Sequence, residues 1–311
     1  MKVGIVGCGG IAHAHADAYK DQGCRVVGVT DSNSEAAKSL AESTGASVFA
    51  DYKELLDKSE CDIVSICTPP IAHGEAAVYA LRRGVNVLCE KPMAYDAETA
   101  RAIADAAKSS SALFMPAFRH RFLPANIALR EMVNSGEFGD LVLFNNIFCG
   151  PAFDMEDKWF TKKAVAGGGS ILDTNSHSID LFRFIAGEVT DQKAVMHQHF
   201  KTTDVEDAGI LIVKSERNAI GSLQSAFVAG TGVAVIDIMC TKGRIVYDYD
   251  KGNEIRFQKT GDVDWSVRTV QESWGFVEEI RHFIGAVNGE HELACTVEDG
   301  VRAMEIICSV Y

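Results

Sequence analysis

The chain of 311 residues contains no apolar run near the ~20 residues that a membrane helix needs. It opens Met1-Lys2-Val3-Gly4-Ile5-Val6, with neither the charged start nor the apolar stretch of a signal peptide. It also lacks a basic cluster: Arg82 with Arg83 and Lys162 with Lys163 are isolated pairs against a net charge of -13. Such a surface repels phosphate backbones and anionic lipid, so neither nucleic acid nor a membrane is an expected partner. Nine cysteines are present, an odd number, and no two are spaced C-x-x-C, which argues against a zinc knuckle and a disulfide lattice alike. Most lie in apolar runs, where a reduced thiol behaves as a small hydrophobe, and the expected compartment is the reducing cytoplasm. There is no internal repeat and no low-complexity segment. What is present is globular: 47% of residues are hydrophobic and 23% charged, in a length about twice that of a usual domain. Two units around separate cores are expected.

The first third alternates two periodicities. Short runs of β-branched and small apolar residues (Val3 to Gly7, Arg25 to Thr30, Ser47 to Phe49, Ile63 to Thr68, Val85 to Cys89, Leu113 to Pro116) have the pattern of buried parallel strands. Between them Ile11 to Gln22, Glu35 to Ser43, Tyr52 to Lys58, Ile71 to Arg83 and Ala97 to Ser109 carry helical spacing. Gly23, Gly45 and Gly84 stand where helices stop, and Ser32 with Glu35 has the spacing of a capping box. Repeated strand, helix, strand predicts an α/β fold with a doubly wound parallel sheet over residues 1–120. Beyond that point come a helix from Asn126 to Asn134, a strand from Leu141 to Cys149, and a helix from Ser170 to Ala186. Closely spaced strands follow at Lys193 to Phe200, Ala208 to Val213, Ala219 to Ala226, Val233 to Met239, Arg244 to Tyr247 and Glu254 to Phe257. Residues 121–296 are therefore expected to form an α+β domain with a large, mostly antiparallel open sheet. Val297 to Tyr311 is expected as an amphipathic helix that packs back on the first domain.

Gly7-Cys8-Gly9-Gly10-Ile11-Ala12 matches G-x-G-x-x-[GA] between the first strand and the first helix. Gly7 permits the tight turn, Gly9 lets backbone approach a pyrophosphate, and Ala12 lets helix and strand pack closely, while the helix N-terminus at Gly10 and Ile11 supplies N–H donors. Asp31 ends the second strand, where a carboxylate accepts the hydroxyls of a ribose; as an alternative it caps the next helix. Glycine loop, strand and acid in register predict dinucleotide binding. A carboxylate at 31, with no Arg or Lys before Lys38, favours NAD over NADP.

Cys89-Glu90-Lys91-Pro92 ends the fifth strand, and the segment Gly167-Gly168-Gly169-Ser170 runs on through Asp173, Asn175 and His177 to Asp180. With the glycine loop, Thr68-Pro69-Pro70 with the following His73, and Arg121-Phe122-Leu123-Pro124, these resemble the Gfo/Idh/MocA oxidoreductases, the glucose-fructose oxidoreductase and inositol dehydrogenase family, over essentially the whole chain. The resemblance implies an N-terminal Rossmann domain and a C-terminal α/β domain whose open sheet often forms a dimer or tetramer interface. It also implies oxidation or reduction of a ring carbon of a sugar or cyclitol by Lys91, Asp173 and His177. Many members carry glycine where Asn175 stands, so an amide over the nicotinamide is expected to alter what fits there.

Oxidising a secondary alcohol needs a hydride acceptor, a base for the hydroxyl proton and a group that steadies the developing oxyanion. Asp173 and His177 are i and i+4 on one expected helix, so a carboxylate stands beside an imidazole. Lys91 lies at the carboxyl end of a parallel strand, where doubly wound sheets hold ligands. Whether Lys91 or His177 takes the proton is open at this point. Lys91 also fits a solvated strand end, and Asp173 and His177 also fit helix capping or packing. Thr68, Pro69, His73 and Glu90, with Lys91, are further cofactor candidates, although His73 fits a cap equally. His15 is expected to pack or cap. Arg121 is a candidate either for substrate hydroxyls or for an acid at the domain hinge, and Trp159 for the wall of a sugar site. His197 and His199 share a strand face, but no third metal ligand is apparent, so no metal is expected. Two other readings stand beside the dehydrogenase: a redox-assisted glycoside-cleaving enzyme that retains its NAD, and a catalytically silent regulator that binds dinucleotide and a partner protein.

Overall fold

The computed structural model describes residues 1–151, 158–200 and 202–311. The chain forms two compact units. The first begins with β1 (Lys2–Val6), α1 (Gly10–Asp21), β2 (Arg25–Thr30), α2 (Ser34–Thr44), β3 (Ser47–Val48), α3 (Tyr52–Lys58), β4 (Ile63–Ile66), α4 (His73–Arg82), β5 (Asn86–Glu90), α5 (Ala97–Lys108) and β6 (Phe114–Ala117). The six strands are parallel in the order β3-β2-β1-β4-β5-β6. β4 and β6 are buried along their whole length, as helices on both faces of a parallel sheet require. Strand order reverses between β2-β1 and β4-β5, and such a switch point opens a crevice at the carboxyl ends of the strands.

Local signals set the helix ends. Asp51 accepts from Glu54 N to start α3, Asp96 accepts from Thr99 N to start α5, and Gly45 ends α2 in the left-handed region. The cap of α2 differs from the expected Ser32 box: Asn33 accepts from the amides of Glu35 and Ala36. Ser32 instead donates to Asp31.

The second unit holds α6 (Pro124–Asn134), β7 (Leu141–Pro151), the short helices α7 (Lys163–Ala166) and α8 (Ser170–Asp173), and α9 (Asn175–Ala186). Then follow β8 (Val189–His197), β9 (Ala208–Ser215), β10 (Ile220–Ala226), β11 (Val228–Cys240), β12 (Gly243–Asp248), β13 (Glu254–Lys259) and β14 (Ser266–Thr269). The sheet order is β14-β13-β12-β11-β7-β10-β9-β8, antiparallel throughout except that β10 runs parallel to β7. α9 lays Ile179, Phe182 and Ile185 on the inner face of this sheet, where Phe182 meets Phe144 of β7 edge-on. The opposite face leaves Val195, Ile210, Ile212 and Ile220 exposed.

The single helix expected from Ser170 to Ala186 is two. Thr174 keeps helical dihedrals, but the Asp173 carbonyl accepts the Ser176 hydroxyl at 2.7 Å, and the His177 amide bonds Thr174 O instead. Two further differences are β8, which starts at Val189 and stops at His197, leaving His199 beyond the strand, and β14, which the sequence pattern does not announce. The chain then enters α10 (Phe276–Val287) and α11 (Val297–Cys308). Phe276–Glu305 rejoins the first unit, with α10 against α1, and Ile306–Tyr311 belongs to the second.

Candidate active site

In the first unit the glycine loop lies where β1 meets α1. Gly7 has φ +90°, and a Cβ there would lie 2.6 Å from the backbone of Cys67, so only glycine fits. Among the described residues no atom lies within 4 Å of where a Cβ on Gly9 or Gly10 would stand, while Ala12 is fully buried. The space that side chains at 9 and 10 would fill is left open in front of the α1 N-terminus. Gly9 caps that helix without a side-chain bond, and the first amides of a helix have no partner within it. A cavity of about 480 Å³ adjoins the loop, lined by Gly7, Asp31, Thr68 and Pro69 among others. Asp31 is fixed in its wall by accepting from Cys8 N at 2.6 Å and Asn33 N at 2.7 Å. The Thr68 hydroxyl is buried with no partner among the described residues. An open phosphate cradle, a fixed carboxylate and an orphaned hydroxyl fit a dinucleotide.

Glu90, expected at the cofactor, turns inward. Its Oε1 lies 2.9 Å from His15 Nε2, and its Oε2 accepts the Lys91 amide at 3.1 Å. His15 Nδ1 reaches the Ser65 hydroxyl at 3.2 Å, which the Tyr19 hydroxyl also meets at 2.9 Å. Burial opposes charge on His15, and Cys67 and Glu90 overcome it, so that its pKa is pushed up to about 10. Burial likewise works against the Glu90 carboxylate, yet His15 and Lys91 hold it below the usual range. The sequence offers no signal for this pair, because His15 and Glu90 come together only through the packing of α1 on the sheet.

His73 is also inward rather than exposed to a cofactor. Its Nδ1 lies 3.0 Å from the Pro92 carbonyl and its Nε2 2.6 Å from that of Thr68. Burial lowers its pKa, opposed by both carbonyls.

In the second unit His177 is half-buried at the first turn of α9, its ring centroid 4.4 Å from that of His120. His120 in turn lies 3.2 Å from the Tyr249 hydroxyl, and Asn126 meets that hydroxyl at 3.0 Å. His120 and Tyr249 escaped the sequence reading, since 129 residues separate them. Asp173 closes α8, one turn before His177.

The glycine run has its own cause. Glu206 accepts from the amides of Gly169 and Ile171 and from the Tyr311 hydroxyl. A Cβ on Gly169 would lie 1.7 Å from the Glu206 carbonyl.

Arg121 is buried and bonds Asp180 through two of its three guanidinium nitrogens, Nε at 3.1 Å, the pairing with an acid that was one of its two expected roles. Asn175 is fully buried and donates to Leu223 O of β10 at 3.1 Å. Trp159 is 40% exposed, against a core role. His197 and His199 meet ring to ring at 4.6 Å. Among the described residues no group of three His, Cys, Asp or Glu side chains is placed to hold a metal, and no helix is long and apolar enough to cross a membrane.

Residues 1–118 match the oxidoreductase family with an NAD-binding Rossmann fold, and residues 127–246 match the GFO/IDH/MocA C-terminal domain. The chain is 25% identical over 303 residues to a levoglucosan dehydrogenase of Pseudarthrobacter phenanthrenivorans, covering 84% of this chain and 77% of that one. It is 27% identical over 325 residues to an inositol 2-dehydrogenase of Rhizobium meliloti, covering 98% and 94%. In fold it superposes on a levoglucosan dehydrogenase in complex with NADH and levoglucosan with a TM-score of 0.91, at 22% identity, over 100% of this chain and 95% of that one. With both of the family's domains matched in order along the chain, this chain belongs to the Gfo/Idh/MocA oxidoreductases and uses NAD.

Proposed function

We propose that the protein is an NAD-dependent dehydrogenase that moves a hydride between nicotinamide and a ring secondary alcohol of a sugar, sugar derivative or cyclitol. The observation that carries this is the open glycine cradle with Asp31 fixed beside it, in a sheet whose β5 ends in a firmly held Lys91. NAD, when bound, supplies the hydride acceptor. Asp31 takes the ribose hydroxyls and rejects a 2'-phosphate, supported by Asp51 and Glu75, which line the same cavity. Lys91 hydrogen-bonds the substrate oxygen and steadies the alkoxide. His177 takes the hydroxyl proton. Asp173 orients His177, and Trp159 offers an exposed wall for a sugar ring. The protein works in the cytoplasm, in keeping with nine free cysteines, as a homo-oligomer built through the bare face of the second sheet.

The test is NAD reduction against a panel of cyclitols, aldoses, glycosides and nucleotide sugars, with Lys91→Ala and His177→Ala beside the wild type. Each substitution is expected to lower kcat on the best substrate by about 10²-fold or more. Unchanged turnover in either variant removes that residue's assigned role, and glycoside cleavage without net NADH would replace the reaction itself.

A further inference from the structure

Lys91 sits on a three-residue segment gripped on both sides by buried histidines. On one side Glu90 spends its carboxylate twice, on His15 Nε2 at 2.9 Å and on the Lys91 amide at 3.1 Å. On the other, His73 faces the Pro92 carbonyl at 3.0 Å and, with its second nitrogen, the Thr68 carbonyl at 2.6 Å. His15 is 0% exposed and His73 1%. The two arms come from different elements: His15 from α1, the helix whose N-terminus forms the phosphate cradle, and His73 from the start of α4. Neither ring contacts the cavity, so neither is suited to ligand binding; both are suited to holding main chain.

We propose that His15, through Glu90, and His73 are positioning residues that fix the backbone on either side of Lys91 and so set the height and direction of its ammonium at the end of β5. The inference rests on the assignment of Lys91 as a catalytic residue. A small displacement of a catalytic group costs rate more than binding, so the signature is a loss in kcat. Neither histidine touches Asp31 or the glycine loop, and Glu90 lies outside the cavity lining, so Glu90→Gln spares NAD affinity; His73 also holds the carbonyl of the cavity residue Thr68. Glu90→Gln isolates the first arm: an amide offers one oxygen where two donors, His15 and the Lys91 amide, now find two.

The experiment compares His73→Gln and Glu90→Gln with wild type, and repeats both substitutions in a Lys91→Ala background. The readouts are kcat, KM for the best sugar, NADH affinity by fluorescence, and the deuterium isotope effect on hydride transfer. The expected result is a fall in kcat of about 10- to 100-fold and a larger isotope effect in both variants, with KM and NADH affinity within about threefold in Glu90→Gln. In the Lys91→Ala background neither substitution lowers kcat further, because its effect runs through the missing ammonium. A purely structural brace gives a different result: equal factors in both backgrounds, or unaltered kcat with only a lower Tm. Either outcome overturns the proposal. If His73→Gln does not yield folded protein, Glu90→Gln, which leaves His73 and both carbonyls in place, carries the comparison alone. Full activity in Lys91→Ala itself sinks the catalytic assignment, and is recognised before either histidine is tested.

Discussion

His15 and Arg121 show what a charged residue costs and contributes inside each unit. His15 has its pKa raised from 6.5 to about 10 in the folded protein. The folded state therefore binds a proton more tightly than the unfolded one. The stabilisation is full below pH 6.5 and is lost as pH climbs toward 10. Glu90, held below 4.5, adds stability above that value that fades as acid protonates it. Urea unfolding at pH 6.5, 8 and 9.5 is expected to show a fall in stability that is shallower in His15→Gln; equal slopes would refute the charged pair. Arg121→Met strands Asp180 in the interior, at a cost of about 3–5 kcal/mol, while Arg121→Met with Asp180→Leu recovers much of it. A large KM effect from the double variant, in folded protein, would restore a substrate role to Arg121. An acid partner for Arg121 was one of its two readings, but the identities of these partners were not legible in the sequence, because a histidine or arginine identifies no residue 75 or 59 positions away. Asp31 was legible because its glycine loop, strand and acid form one local pattern.

At the scale of the element, glycine separates two kinds of tight turn. A methyl on Gly9 meets nothing in the protein, whereas one on Gly169 strikes the Glu206 carbonyl. Gly9→Ala should leave the unfolding free energy within about 0.5 kcal/mol of wild type while weakening NAD binding at least tenfold, measured by NADH fluorescence. Gly169→Ala should destabilise the second unit by several kcal/mol, seen as an early transition in thermal unfolding. Strands of the first unit were readable because burial on both faces makes them continuous apolar runs. In the second sheet β14 has every side chain exposed, and the first turns of β8 alternate too weakly to be separated from loop. The division of the helix at Thr174 escaped notice because it depends on one hydroxyl, that of Ser176, competing for the carbonyl of Asp173.

For the molecule as a whole, the outer face of the second sheet exposes a cluster of apolar side chains among the described residues. Val195 pairs across from Ile210 on adjacent strands, and Ile212 and Ile220 extend the same face. Exposed apolar side chains clustered this way are the kind of surface that association buries. Ile210→Asp with Ile212→Lys is expected to shift the protein to monomer in size-exclusion chromatography with light scattering; a wild type already monomeric would dismiss the oligomer. The first unit, meanwhile, is assembled from Met1–Arg119 and Phe276–Glu305. Helix α10, which lies against α1 and brings Phe276 within 5.9 Å of the His15 ring, is synthesised only after the whole of β7 to β14. At roughly 5–20 residues per second, the nascent nucleotide-binding half waits on the order of ten seconds or more with one flank of α1 bare. The first unit thus receives its last two helices only after every strand of the second sheet has left the ribosome.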